Sequence, residues 1–436
     1  FYDEKAYAGV ASDGKTFTIY RNGEKTETMP SDYHKHFHLR LLNRANRVTL
    51  SASKDGKSWD ELATDIDVSG LHHNNYGGFY ALRPALLSAG KGRTTFRNFT
   101  YRNATPQEKD MAAYLMVFHQ DEDHCLHAAI SRDGYTFTAL NDGKPIIAGD
   151  TIADQKGIRD PHIYRGPDGG FYLAMTDLHI YAQRDGYRDT EWERDGKAYG
   201  WGNNRGLVLM KSFDLIHWTR TNIRFDQMSK EFAQIGCAWA PETVYDPVTG
   251  RMMIYFTMRF GTEQNRLYYV YVNQDFNRIE SIPQILFEYP SGASAIDGDI
   301  TPIWNEERQK MEYHLFYVAH ESGSGIKQAV SDRIDGGYRF DPRWIDFEPV
   351  ACEAPNVWKR IGEDKWVLMY DIFGINPHNF GFVETSDFVH FKNLGRFNEG
   401  VMKTTNFRSP KHGAVIHLTQ EEADRLENYW NGKKQK

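Results

Sequence analysis

Cysteine is scarce in this 436-residue sequence: Cys125, Cys237 and Cys352 are far apart and odd in number. They lack the Cys-x-x-Cys spacing of a zinc site and the density of a disulfide scaffold, and are expected to be buried small hydrophobes. Long apolar runs are missing as well. At a mean hydropathy of −0.64, no stretch approaches the roughly 20 apolar residues that span a bilayer, so no membrane span is expected. The start carries no basic and apolar signal sequence, but it is Phe1 and not methionine, so the missing signal leaves the compartment open. Blocks of basic residues are absent too. With 52 Lys and Arg against 59 Asp and Glu and a net charge of −7, the usual electrostatic reason to approach nucleic acid or an anionic membrane is gone. A neutral or weakly charged partner is expected.

What the chain has is aromatics, at 14%, and short strand-like segments punctuated by Gly, Asn, Asp and Pro. HFHLRLL (36–42), GFYLAMT (170–176), LYYVYV (267–272) and WVLMYDIF (366–373) all read as strands, so the fold class is all-β. One helix is expected, TQEEADRLENYW at the C-terminus, where Thr419 and Glu422 have capping-box spacing; it reads as peripheral.

A repeat of about 40–60 residues with several strands per unit is the signature of a propeller. Candidate inner strands are RDPHIY at Asp160, APETVY at Glu242, IDGDIT at Asp297, CEAPNVW at Glu353 and KHGAVIHL at His412, spaced by 82, 55, 56 and 59 residues. A later strand and turn recurs at Ser131, Ser212, Asn273, Ser331 and Ser386. The first unit lacks an inner strand and the last is only an inner strand, so together they complete a fifth blade and close the ring. Residues 107–436 are therefore expected to be a five-bladed β-propeller, with an insertion at 177–206 on one rim of its first blade. Residues 1–105 do not match the repeat. They read as an N-terminal β-sandwich accessory module with strands ending in TTFRNFTYRN (94–103), missing its first strands, and 104–110 reads as the linker.

Inner strands of a propeller converge on a central channel. If the anchors occupy the same place in each strand, Asp160, Glu242, Asp297, Glu353 and His412 meet there. Neighbouring like charges raise one another's pKa, which lets one carboxyl group stay protonated as an acid while another stays ionised as a base. Glycoside hydrolysis requires such a pair. Asp299 shares a face of IDGDI with Asp297 and is the alternative carboxylate on that strand. Glu242 reads as pocket lining, and Trp239 as a wall for a sugar ring.

The order of an Asp-Pro entry strand, a Trp-Ala-Pro-plus-acid strand, an Ile-Asp strand and a Glu-x-Pro strand resembles glycoside hydrolase family 43. The resemblance covers roughly residues 107–418 and departs from the family in IDGD and in EAP. It implies that Asp160 is the general base, Glu353 the general acid, and Asp297 the residue that orients the acid and tunes its pKa. It implies an inverting exo-enzyme that removes terminal α-L-arabinofuranosyl residues from an oligosaccharide or polysaccharide, with β-xylosyl or galactofuranosyl units as alternatives. Arg159, Trp239, Glu242 and His412 would bind substrate. No cofactor is required by this chemistry, though the resemblance places His412 beside the channel axis, where a Ca2+ would be held through water. The substrate class implies a bacterial protein that is secreted, periplasmic or on the cell surface. A retaining fructosidase-type enzyme would need an Asn-Asp-Pro-Asn strand, which is missing. A phosphorolytic enzyme would need a basic cluster. A non-catalytic glycan-binding propeller would not need the three carboxylates.

Overall fold

The computed structural model describes residues 1–432 except 34, 35, 45, 79, 102–104 and 322. The chain forms two compact units, Phe1–Thr105 and Pro106–Lys436.

In the first unit, strands Gly9–Ser12, Thr16–Arg21 and Glu24–Pro30 make one antiparallel sheet, and His38–Arg44, Arg47–Ser53 and Asp60–Asp67 make another. Ile19 of the first sheet and Val48, Leu50 and Ile66 of the second share one buried cluster, so the two sheets pack as layers. Tight Asp turns join the strands: Asp13 Oδ1 accepts the N–H groups of Lys15 and Thr16, and Asp55 Oδ1 those of Lys57 and Ser58. The strand expected in TTFRNFTYRN does not form. Residues 94–101 are exposed and irregular, with no apolar layer to bury a strand face against; 102 and 103 lie outside the described residues. Of the expected linker, Ala104 lies outside the described residues, and the rest includes the short turn Glu108–Asp110.

The second unit contains five sheets. Blade I is Ile158–Arg165, Phe171–Asp177, Gly206–Ser212 and Thr219–Arg224. Blade II is Ile235–Asp246, Arg251–Phe260, Arg266–Val272 and Gln284–Phe287. Blade III is Ala295–Asn305, Lys310–Ala319, Gly325–Ser331 and Arg339–Asp341. Blade IV is Glu353–Lys359, Trp366–Ile372, Asn379–Thr385 and Lys392–Arg396. Blade V joins both ends of the unit: inner strand Lys411–Thr419 pairs antiparallel with Met111–His119, followed by His127–Ser131, Thr136–Ala139 and the outermost Lys403–Thr404. Each inner strand lies against the next, and the fifth against the first, so the ring is closed although every inner strand is the terminal strand of its own sheet.

Buried clusters sit between neighbouring blades. Leu173 and Val208 of blade I, for example, meet Leu115 and Val117 of blade V. The C-terminal helix Gln420–Asn431 is not peripheral. Its capping box forms as expected, but Ala423 and Leu426 are buried in the same cluster between blades V and I. Glu422 also receives both terminal nitrogens of Arg165 from blade I, at 3.0 and 2.5 Å.

The repeated outer turn uses a Ser/Thr-x-Asp device. Asp133, Asp214 and Asp387 each accept two backbone N–H groups and engage Ser131, Ser212 and Thr385. In blade IV the hydroxyl is Thr385, one residue before the expected Ser386. Cys237 and Cys352 are buried, whereas Cys125 is half-buried and its sulfur accepts the Gly149 N–H; all three are free thiols.

Candidate active site

Every inner strand carries a β-bulge near its start, and at each bulge one residue has positive φ: Asp160, Ala240, Asp297, Ala354 and His412. A non-glycine residue rarely adopts this conformation, so its recurrence in all five blades fixes a common register. The anchors expected to be equivalent are therefore not all equivalent. Asp160, Asp297 and His412 share the bulge position; Glu353 precedes it by one residue and Glu242 follows it by two. The level before the bulge holds Arg159, Trp239, Ile296, Glu353 and Lys411.

Side chains from the preceding blade hold each bulge by accepting its exposed N–H groups. His119 Nδ1 accepts from Asp160, Thr176 Oγ1 from Ala240, Thr257 Oγ1 from Asp297, Asp297 Oδ2 from Ala354 and Asp371 Oδ2 from His412. Three residues past the bulge position a second set repeats the device: His162 accepts from Thr243, Asp299 from Val357 and Asn356 from Val415. Asp299 thus stitches blade III to blade IV. Glu242 accepts the Tyr255 hydroxyl at 2.7 Å, which itself accepts the Ile300 N–H at 2.8 Å. Glu242 is only 3% exposed, and burial and the charge of Asp299 push its pKa well up. It belongs to this deeper layer and does not share the level of Asp160 or Glu353.

Asp160 is held at both oxygens. Thr176 donates to Oδ2 at 2.7 Å, and His412 Nδ1 lies 3.4 Å from Oδ1. Burial works against its charge, but His412, Arg159, His119 and the Thr176 hydroxyl outweigh it and keep its pKa below the usual carboxylate value. Asp297 is pushed the other way, well up, by burial and by the charges of Glu353 and Asp160. Two carboxyl groups in one channel are thereby set apart in protonation, as acid–base chemistry requires.

Glu353 Oε1 accepts from Lys411 Nζ at 3.1 Å, and the same ammonium lies 3.2 Å from Asp371 Oδ2. Asp371 is fully buried and is pushed up to about 7 by burial, against the pull of Lys411. Arg159 donates to Asp121 Oδ1 at 2.5 Å. Asp121 also faces His119 Nε2 at 3.5 Å and His378 Nε2 at 3.7 Å. Because His119 Nδ1 accepts from a backbone N–H, its proton sits on Nε2 and points at Asp121. Burial and then Arg159 lower its pKa to about 4, keeping it neutral. Sequence reasoning missed Lys411, Asp371, Thr176, His119 and Asp121. Lys411 adjoins His412 in KHG, and in FHQDEDH His119 ends the blade V strand and Asp121 opens the turn after it; neither pattern announces a role without the register.

Trp239 stands at the level of Glu353. Its Nε1 donates to Gly202 O at 2.9 Å, and the Arg259 guanidinium packs 4.6 Å from its ring. As for a metal, no three His, Cys, Asp or Glu side chains converge as a ligand set among the described residues. His412 has Asp160 on one side and feels the cations Arg159 and Lys411. These residues do not fit a directly ligated ion.

The family model described as "Probable glycosyl hydrolase domain", related to glycoside hydrolase family 43, matches residues 109–424. A curated α-L-arabinofuranosidase of Bifidobacterium longum subsp. longum is 28% identical over 193 residues, 42% of this chain. The chain spans only 16% of that relative's length. Among solved structures, a family 43 protein from Bacillus licheniformis is similar at 15% identity and a TM-score of 0.43, over 69% of this chain and 55% of that one. A xylan β-1,4-xylosidase from Bacillus halodurans C-125 is similar at 12% identity and a TM-score of 0.45, over 67% and 54%.

Proposed function

Because this chain belongs to glycoside hydrolase family 43 and is a glycoside hydrolase, we propose that it is an inverting exo-enzyme that releases terminal pentosyl or furanosyl residues, α-L-arabinofuranosyl units first. The observation that carries the reading is the opposed setting of two carboxyl groups: Asp160, held at both oxygens by Thr176 and His412 and kept low, and Asp297, pushed up by burial and its neighbours' charges.

In this mechanism ionised Asp160 takes a proton from a water molecule, which attacks the anomeric carbon. Thr176 and His412 hold the two carboxylate oxygens so that the base does not rotate away from the water. Glu353 donates a proton to the departing glycosidic oxygen. Asp297 accepts the Ala354 N–H, so it fixes the backbone that carries Glu353, the carboxyl placed at the channel level of Arg159 and Trp239. Lys411 fixes the Glu353 carboxyl from its other side and shares its charge with Asp371. Inversion calls for roughly 6.5–9.5 Å between the base and the acid carboxyls.

The α-L-arabinofuranoside preference is supported by the arabinofuranosidase relative; β-xylosides and galactofuranosides are the alternatives within the family. A glycan-binding role without catalysis is disfavoured because it would not need the three carboxylates Asp160, Asp297 and Glu353, all of which are present. A bacterial secreted, periplasmic or cell-surface location and a water-held Ca2+ near His412 remain part of the proposal. A panel of aryl pentosides and furanosides tests it: hydrolysis of 4-nitrophenyl α-L-arabinofuranoside is expected, and inertness towards every pentoside and furanoside would overturn it.

A further inference from the structure

The insertion at 177–206 leaves blade I at the end where Asp160 lies, since Asp177 pairs with Ile158 at the start of the inner strand. Its last turn reads Gly200-Trp201-Gly202-Asn203-Asn204. Trp201 is 59% exposed. A free indole on a loose loop would lie down on the surface and bury its ring; here the backbone on both sides is fixed.

Gly200 and Gly202 both have positive φ, at 82° and 61°, which strains any other residue, and both lie close against neighbouring side chains. A Cβ on Gly200 would come within 2.7 Å of Arg259 Nη2, and one on Gly202 within 3.1 Å of Trp239 Cζ2. Arg259 Nη2 donates to Tyr199 O at 3.1 Å and Trp201 O at 2.8 Å, while Trp239 Nε1 donates to Gly202 O. Asn204 continues the clamp by bonding Ala238 on the inner strand of blade II through both N–H and C=O. The Trp201 ring stands edge-on to Trp239, centroids 5.9 Å apart, and is backed by buried Trp192 at 5.3 Å.

From the exposed, rigidly mounted Trp201 against Trp239 we infer a second carbohydrate-binding position, in which the face of Trp201 takes the sugar ring next to the one being cleaved. This rests on the glycoside hydrolase reading and deepens it: the substrate class is an oligosaccharide or chain end, not an isolated terminal glycoside. The axial C–H face of a sugar ring packs on an indole without needing a charged partner. Because Trp201 is already fixed, little ordering entropy opposes that contact.

The test compares Trp201→Ala and Trp201→Tyr with the wild type on α-1,5-linked arabinotriose, and measures competitive inhibition by L-arabinose, which fills the terminal position alone. For Trp201→Ala, kcat/KM on the trisaccharide is expected to fall about tenfold or more, with partial recovery in Trp201→Tyr and an L-arabinose inhibition constant within about twofold of wild type. An unchanged kcat/KM, or an equal loss in both measurements, would overturn the inference. If the wild type does not cleave the trisaccharide, retardation in gels containing arabinan, xylan or galactan decides separately. Wild type slowed more than Trp201→Ala in any one of these supports the platform, and equal migration in all of them refutes it while leaving the question of which bond is cut to the aryl glycoside panel.

Discussion

The Thr176 hydroxyl donates its one proton to Asp160 Oδ2 at 2.7 Å, and its oxygen accepts the Ala240 N–H at 2.8 Å, so a single side chain both supports the ionised carboxylate and ties blade I to blade II. Thr176→Val removes both bonds, whereas Thr176→Ser keeps them. Loss of a donor to the charged form raises the Asp160 pKa. The acidic limb of the pH dependence of kcat/KM should therefore move to higher pH in Thr176→Val and stay in place in Thr176→Ser. A Val variant that only loses activity evenly across pH would show that the bond serves packing alone.

Asp160→Asn and Glu353→Gln should each lower turnover by at least about 10²-fold, the low end of general acid–base contributions, with circular dichroism unchanged. Glu353→Gln should regain part of that loss on aryl glycosides whose leaving group departs without a proton. Near wild-type turnover of a natural glycan by either variant would remove that residue from its role.

The sugar released at early times, read by proton NMR, should have the anomeric configuration opposite to that of the substrate. A retained anomer would require a covalent intermediate, and Asp160 would then be a nucleophile instead of a base.

Glu422 is held by a two-pronged bond to Arg165, which outweighs its burial and lowers its pKa. Glu422→Gln preserves the capping-box acceptor but takes the charged partner from a largely buried guanidinium, which keeps its bond to His417 O, so a loss of about 2 kcal/mol is expected from urea unfolding at neutral pH. A depressed carboxyl pKa contributes stability above the unfolded-state value and loses it as pH falls through the folded-state value. The wild-type and variant curves should accordingly converge on acidification. A constant gap down to the acid transition would mean that packing, not charge, carries the difference.

The blade count, the shared fifth blade and the insertion were legible because each repeat carries its own strand and turn chemistry. The register of the site was not, because the anchors were aligned by their acidic residues. The bulge aligns them differently: Arg159-Asp160-Pro161, Trp239-Ala240-Pro241, Ile296-Asp297-Gly298, Glu353-Ala354-Pro355 and Lys411-His412-Gly413. Proline or glycine follows the positive-φ residue in all five, so the signal lay in backbone chemistry and not in charge. Thr176, His119 and Asp371 stand near the ends of second strands, where nothing in the local sequence distinguishes a residue that reaches the next blade from one that does not. TTFRNFTYRN shows the converse error, since a strand-like composition makes no strand without a layer to cover it.

Closing the ring with Lys411–Thr419 against Met111–His119 also sets an order of events during synthesis. The first of these strands leaves the ribosome about 300 residues before its partner, which at about 5–20 residues per second is a delay of roughly 15–60 s. Throughout that interval blades I to IV can assemble in sequence while Met111–His119 has one unpaired side, open to any other nascent chain that offers a strand. The nine-residue strand Lys411–Thr419 then acts as a completion signal: the channel that holds Asp160 beside His412 cannot form until that strand has been made.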